Sequence, residues 1–358
     1  MKKMIIFSTL LTSLLTIAGP KADLERANKL FDENKREEAI KILKKSKNAK
    51  GEEEIYEHIN YILSLRYSSS LEEMIGYLKK AVENPKSTSQ DAVYANYRLV
   101  NFVLNEEKIK YLEILINRIA LMNKKDPYIE GVLAGEYKVK NMKDKFNNLL
   151  KSAENSKDQI FIDKFNLSLG NYLLVHYGNI EGQIYLYKAI DSKDINVKSE
   201  VYLSLADYNI RNNNFEMASR RLKEASISEE KYARIANRFK EIGDFKSAYI
   251  YSEKAYNFQP NILMYLENAF AFAYKVNDSK AIEKYQNMMK KKGAKNIHFA
   301  YALFNQQIYQ GAEEYAKLAL KDGSEGASSL LKHIERERER AKKDNFFHKN
   351  TLIHLYLF

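Results

Sequence analysis

The sequence predicts an all-α chain of about eight or nine stacked helical hairpins, an α-solenoid, and three observations carry that expectation. Small residues recur at spacings of twelve and then seven: Ala206, Ala218, Ala225; Ala236, Ala248, Ala255; Ala269, Ala281, Met288; and Ala300, Ala312, Ala319. More worn copies stand at Ala27, Ala39, Ser46 and at Gly170, Gly182, Ala189, with a hybrid at Ala134, Phe146, Ala153. Two helices approach closely where small residues meet, so each triplet marks one hairpin, and stacked hairpins bury a continuous core. Proline supplies the second observation. Of the four, Pro85, Pro127 and Pro260 fall between expected hairpins, where the missing N–H and the ring do no harm, and Pro20 follows the first apolar run. Third, 358 residues exceed one ordinary core but suit about nine hairpins, and 45% hydrophobic content supports continuous burial.

At the N-terminus Lys2 and Lys3 precede an apolar run from Met4 to Ala18. That run is shorter than the roughly 20 residues a spanning helix needs, so 1–18 reads as a signal peptide cut after Ala18, with Thr16 and Ala18 as the small residues. An uncleaved membrane anchor is the alternative. The chain has no cysteine, which excludes a disulfide framework, thiolate chemistry and a bacterial lipid anchor. The expected location is the bacterial cell envelope, periplasmic or secreted, and not as a lipoprotein, with no transmembrane helix in the mature chain.

The solenoid is expected over 22–320, with its best units in 163–319. In Lys231–Pro260 the apolar positions follow the helical period twice, through Ile235, Ala236, Phe239 and then Phe245, Ala248, Ala255, with the break at Gly243-Asp244. Asn212-Asn213-Asn214 and Asn277-Asp278-Ser279 are the matching turns, and Ala218, Ala248, Ala281 and Ala312 step by 30, 33 and 31 residues. About 91–122 fits the pattern poorly and reads as a degenerate unit with helices Ala92–Leu104 and Lys108–Met122. Over 321–343 the chain reads as a polar capping helix, with Glu335–Arg338 and Glu337–Arg340 spaced for ion pairs. The tail 344–358 turns apolar and aromatic. A docking segment, a disordered sticky tail and a frame change near the gene's end all remain open for it.

Ala236, Phe239, Gly243, Phe245, Ala248, Ala255 and Pro260, with the Leu169-Gly170 pair elsewhere, resemble the tetratricopeptide repeat at its small, aromatic and terminal-proline positions. The tryptophan of that family's first helix is missing, since the chain has none. The resemblance implies a right-handed superhelix whose first helices line a concave groove for a partner segment. By register the groove places are Asn171, Leu174 and Val175; Asp207, Ile210 and Arg211; Asn237, Lys240 and Glu241; Phe270, Ala273 and Tyr274; Tyr301, Phe304 and Asn305. Leu167 and Ala233 stand where a carboxylate-clamping member carries a basic residue, which argues against that mode. Phe270, Tyr274, Tyr301 and Phe304 form an aromatic alternative. For Phe270 and Phe304 packing between repeats competes with groove exposure, whereas tyrosine tolerates one wet end.

The expected function is a non-catalytic scaffold or adaptor that binds a protein partner. The chain has no His-Glu-x-x-His, phosphate loop or Gly-x-Ser-x-Gly elbow, and no two of its six histidines stand four apart. No enzyme activity, cofactor or metal is expected. The formal charge is +11, with basic clusters at Lys41, Lys44, Lys45 and Lys47 and at Lys290, Lys291, Lys292 and Lys295. Export makes nucleic acid an unsuitable partner, so the alternative function is binding of anionic wall polymer or lipid through these lysines.

Overall fold

The computed structural model describes residues 19–46, 53–66 and 68–340, and every regular element among them is helical. The expected signal peptide, Lys47 and the 344–358 tail lie outside the described residues. Contacts divide the chain into two compact units after Leu173. The first holds α1 (Pro20–Asp32), α2 (Arg36–Ser46), α3 (Glu53–Arg66), α4 (Leu71–Ala81), α5 (Gln90–Leu99), α6 (Asn105–Leu121), α7 (Pro127–Val139), α8 (Lys143–Glu154) and α9 (Gln159–Asn171). A π-helical turn, Tyr172–His176, follows α9. The second unit holds α10 (Gly182–Ala189), α11 (Ile195–Arg211), α12 (Phe215–Ala225), α13 (Tyr232–Glu241), α14 (Phe245–Phe258), α15 (Leu263–Lys275), α16 (Ser279–Lys291), α17 (Asn296–Asn305), α18 (Tyr309–Lys321) and α19 (327–340). Within each unit successive helices pack as hairpins, α1 with α2 through α7 with α8, and α11 with α12 through α17 with α18. This is an all-α helical repeat solenoid.

The twelve-and-seven positions form the buried seam of the hairpins. Ala27, Ala39, Ala134, Ala153, Ala206, Ala218, Ala225, Ala236, Ala248, Ala269, Ala300, Ala312 and Ala319 are all buried. One position slips: Met288 is half-buried, and Met289 enters the core in its place. The turns inside the hairpins share one mechanism. Asn34, Asn141, Asn213, Gly243, Asn277 and Gln307 take positive φ just past a first helix. The next N–H then returns to the last turn, as Asn214 N–H does to the Asn209 carbonyl (2.8 Å) and Asp244 N–H to Phe239 (2.9 Å). The same residue often caps the following helix, since Asn214, Asp244 and Asp278 accept from the N–H groups of Met217, Ser247 and Ala281. The expected turns at 212–214, 243–244 and 277–279 are those observed.

The degenerate stretch is one ordinary hairpin with shifted boundaries, α5 ending at Leu99 rather than Leu104 and α6 starting at Asn105 rather than Lys108. What departs from the pattern is its core. Arg118 of α6 is fully buried and donates to the carbonyls of Val82, Asn84 and Ser87 at 2.9, 2.6 and 2.8 Å. Glu57 of α3, also buried, accepts from the hydroxyls of Ser87 (2.8 Å) and Ser89 on the same loop. Burial lowers the affinity of Arg118 for its proton, and the Glu57 charge opposes that. The loop carrying Pro85 is thus fixed by ionic side chains from both sides.

Side-chain bonds also join several second helices to the next. Lys44–Glu73 (3.1 Å), Lys79–Glu107 (2.7 Å) and Lys145–Glu113 (2.9 Å) link α2 to α4, α4 to α6 and α6 to α8. In the second unit Glu253 of α14 accepts from Lys284 and from Tyr285 (2.8 Å) of α16. Exposed pairs of this kind contribute little singly, and their regular use fixes register more than it adds stability. Tyrosine hydroxyls donating to carboxylates are a recurring variant: Tyr56 to Glu83 (3.0 Å) and Tyr77 to Glu73 (2.9 Å) in the first unit.

Burial first and the carboxylate second push both phenols up to about 12. A raised folded-state value means that the neutral phenol is favoured in the fold. Its contribution is complete below pH about 10 and lost as pH rises through about 12. The melting temperature of the chain is therefore expected to fall across that interval, and Tyr77→Phe to flatten the fall. Circular-dichroism melts across the interval check this.

The second unit closes on α19, where Ala327, Leu330 and Ile334 are buried on one face and the remainder is largely exposed. The polar cap expected over 321–343 is thus a turn followed by a helix from 327. Glu337–Arg340 pairs at 2.7 Å, whereas Arg338 bonds Glu313 of α18 rather than Glu335. A cross-helix partner held by packing displaces the local one.

Candidate partner-binding surface

Four first helices of the second unit, α11, α13, α15 and α17, carry most of the expected groove residues. Asn237 and Lys240 of α13 are exposed, as is Asn305 of α17. Arg211 is exposed too, but its guanidinium donates to the Val175 carbonyl in the π-helical turn. Asp207 is half-buried and tied to Arg238, whose Nε lies 2.6 Å from Oδ1, while Arg238 also reaches Glu241 at 2.7 Å. Arg234 holds Glu200 at 2.6 Å one turn away on the same pair of helices. Arg238 and Arg234, absent from the sequence expectation, are therefore the residues that lock α13 to α11. Asn171 ends α9 in the first unit and is half-buried, and Leu174 is buried.

The aromatic groove needs correction. Phe270 is fully buried, with the rings of Phe299, Tyr315 and Tyr274 centred 5.2, 5.8 and 6.3 Å away. It stands one position after the seam residue Ala269, and that position faces the next hairpin rather than solvent. Ala273 is likewise buried. Tyr274 is half-buried and donates to Glu314 at 2.7 Å, its ring against Gly311, where an added Cβ would come within 2.5 Å of it. Replacing Tyr274 therefore perturbs packing as well as surface. Phe304 is half-buried against Tyr309 (5.9 Å) and His333 (5.3 Å). Of the four rings Tyr301 alone is open, at 44% exposure.

Of the lysine clusters, Lys41 and Lys45 are exposed and Lys44 is engaged by Glu73. Lys290, Lys291, Lys292 and Lys295 are all exposed, and none has an ion-pair partner among the described residues. Lys292 lines a hollow of about 90 Å³ that the sequence did not announce, and Lys290, Lys291 and Lys295 are its near neighbours along the chain. Leu263 and Leu266 of α15, Met289 of α16 and Ala294 form its apolar wall, and Glu267, Lys292 and His298 its polar rim. The hollow exists because the chain turns sharply between α16 and α17 through Gly293, at φ +84°, and Ala294 after it is too small to fill the space. His298 Nδ1 accepts the Lys295 N–H at 2.9 Å, which leaves the proton of the neutral ring on Nε2. Burial pushes the Glu267 carboxyl up, and the nearby His298 partly opposes it. Beside the hollow, Ile262, Leu263 and Met264 are exposed at 37%, 43% and 56%. The lining comes from two stretches, 263–267 and 289–298, more than twenty positions apart, so no local spacing could have marked it.

Among the described residues no helix is long and apolar enough to cross a membrane. Comparison of the chain with protein-family models and with curated proteins finds no match.

Proposed function

We propose that this chain is a non-catalytic scaffold of the tetratricopeptide type that binds a protein partner in the bacterial cell envelope. The observation that carries this reading is the locked register of exposed first-helix side chains. Asp207–Arg238 and Glu200–Arg234 fix α13 to α11, so Asn237 and Lys240 are displayed at set positions. A surface held in place by its own fold loses less freedom on binding, which favours recognition of an extended or helical segment. The envelope setting rests on Lys2, Lys3 and the apolar Met4–Ala18 run.

Cross-linking of the tagged chain in its native envelope, followed by mass spectrometry, tests the proposal. A reproducible protein partner, retained at about 0.5 M salt, is the expected result. Wall fragments or lipid alone contradict it. A second reading, binding of anionic polymer or lipid, is favoured by the four lysines without ion-pair partners and is expected to weaken steeply at the same salt.

A further inference from the structure

We infer that the hollow between α15 and the α16–α17 turn takes one apolar side chain from an acidic segment of a partner protein, with Lys290, Lys291, Lys292 and Lys295 engaging the acidic flanks. This deepens the scaffold reading and rests on it.

The size of the hollow limits the anchor. About 90 Å³ matches the share of roughly three liquid waters, or one branched aliphatic side chain. Leu263, Leu266, Met289 and Ala294 offer waters there few hydrogen bonds, so an apolar group displaces them favourably. The charge pattern sets the flanks. Lys44, Lys79, Lys145 and Lys284 on the second helices each meet a carboxylate of a neighbouring hairpin. Lys292 at the hollow and its chain neighbours Lys290, Lys291 and Lys295 do not, and four like charges within six positions repel one another until an anion neutralises them.

The rim chemistry selects a peptide over a lipid surface. Glu267 supplies an acceptor and, with Nδ1 accepting from Lys295, the His298 Nε2–H a donor, the pair that a peptide backbone satisfies with its own N–H and C=O. Lipid phosphates offer acceptors alone, and a bilayer has no single side chain to fill a concavity. The anchor enters at an inter-hairpin turn, so recognition requires no terminal carboxylate.

The test uses the full chain and a fluorescent probe peptide, acetylated and amidated, with one leucine flanked by aspartate and glutamate. Fluorescence anisotropy is expected to show saturable binding. Replacing the probe's leucine by alanine is expected to weaken it about tenfold. Charge reversal of the four lysines to glutamate is expected to abolish it. Ala294→Met, which fills the hollow, is expected to weaken it by a similar factor with helicity unchanged, and the probe pair alone decides if that variant does not fold. Three results would each overturn the inference: no saturation up to about 1 mM probe, equal affinity for the alanine probe, or binding to phosphatidylglycerol vesicles that the lysine variant loses while the peptide stays inert. A reproducible partner in the envelope cross-linking would stand in any of those cases, so the two proposals fail separately.

Discussion

Gly131→Ala is expected to destabilise the first unit by about 3 kcal/mol, at the upper end of what overpacking costs. A Cβ at Gly131 of α7 would lie 2.7 Å from the Phe165 carbonyl oxygen, 2.7 Å from Ser168 Cβ and 2.9 Å from the Leu169 nitrogen of α9. Two of those atoms are helix backbone and cannot swing aside, so relief requires α7 and α9 to separate. Separation breaks more than apolar contact. Ser168 donates to the Tyr128 carbonyl at 2.6 Å, and Tyr172, whose ring lies against Gly135, bonds the buried Glu136. Gly76→Ala in α4 is the control, because nothing lies within 4 Å of the added carbon. There the substitution is expected to stabilise by roughly 0.5–1 kcal/mol through helix propensity. Repeat stacks need not unfold in one step, so hydrogen exchange of α7 and α9 is the appropriate measurement alongside thermal melts. Equal effects of the two alanines would contradict the close-approach account.

Arg118→Met is expected to cost about 3–5 kcal/mol, the range for breaking a buried ionic arrangement from one side. The methionine fills comparable space but leaves the carbonyls of Val82, Asn84 and Ser87 without their shared donor and Glu57 without its counter-charge. Arg118→Lys keeps the charge and loses the planar fork that reaches three acceptors, so an intermediate loss is expected. Amide exchange over the 82–89 loop should rise first, because that loop is what the guanidinium holds. If the methionine variant matches the parent in melting and in exchange of that loop, the ionic anchoring is wrong.

How much was legible in the sequence follows from how each feature is encoded. Hairpin seams are local: twelve-and-seven spacings become helix contacts through the 3.6-residue period, and the alanines from Ala27 to Ala319 are buried where that period places them. The slip from Met288 to Met289 and the burial of Phe270 mark the limit of the same logic. One residue is about a quarter-turn of helix, and which side wins depends on the neighbouring hairpin. Arg118 carries no local signal at all, since its partners stand 31 to 36 positions away. The need for glycine at 131 likewise shows only in the contact with α9, where a side chain has no room. At the candidate surface, Asn237, Lys240 and Tyr301 are open as the register implied. The hollow behind Lys292 was invisible, being assembled from a glycine turn and two helices whose sequences look ordinary.

The central claim is that exposed first-helix positions of α13 and α17 meet the partner. Site-specific photo-cross-linking in the native envelope tests it most directly, with the reactive group placed in turn at Asn237, Tyr301 and the second-helix control Arg220, all exposed. The expected result is one protein adduct shared by Asn237 and Tyr301 and absent at Arg220. An adduct at Arg220 alone, or lipid and wall adducts at all three, would contradict the account.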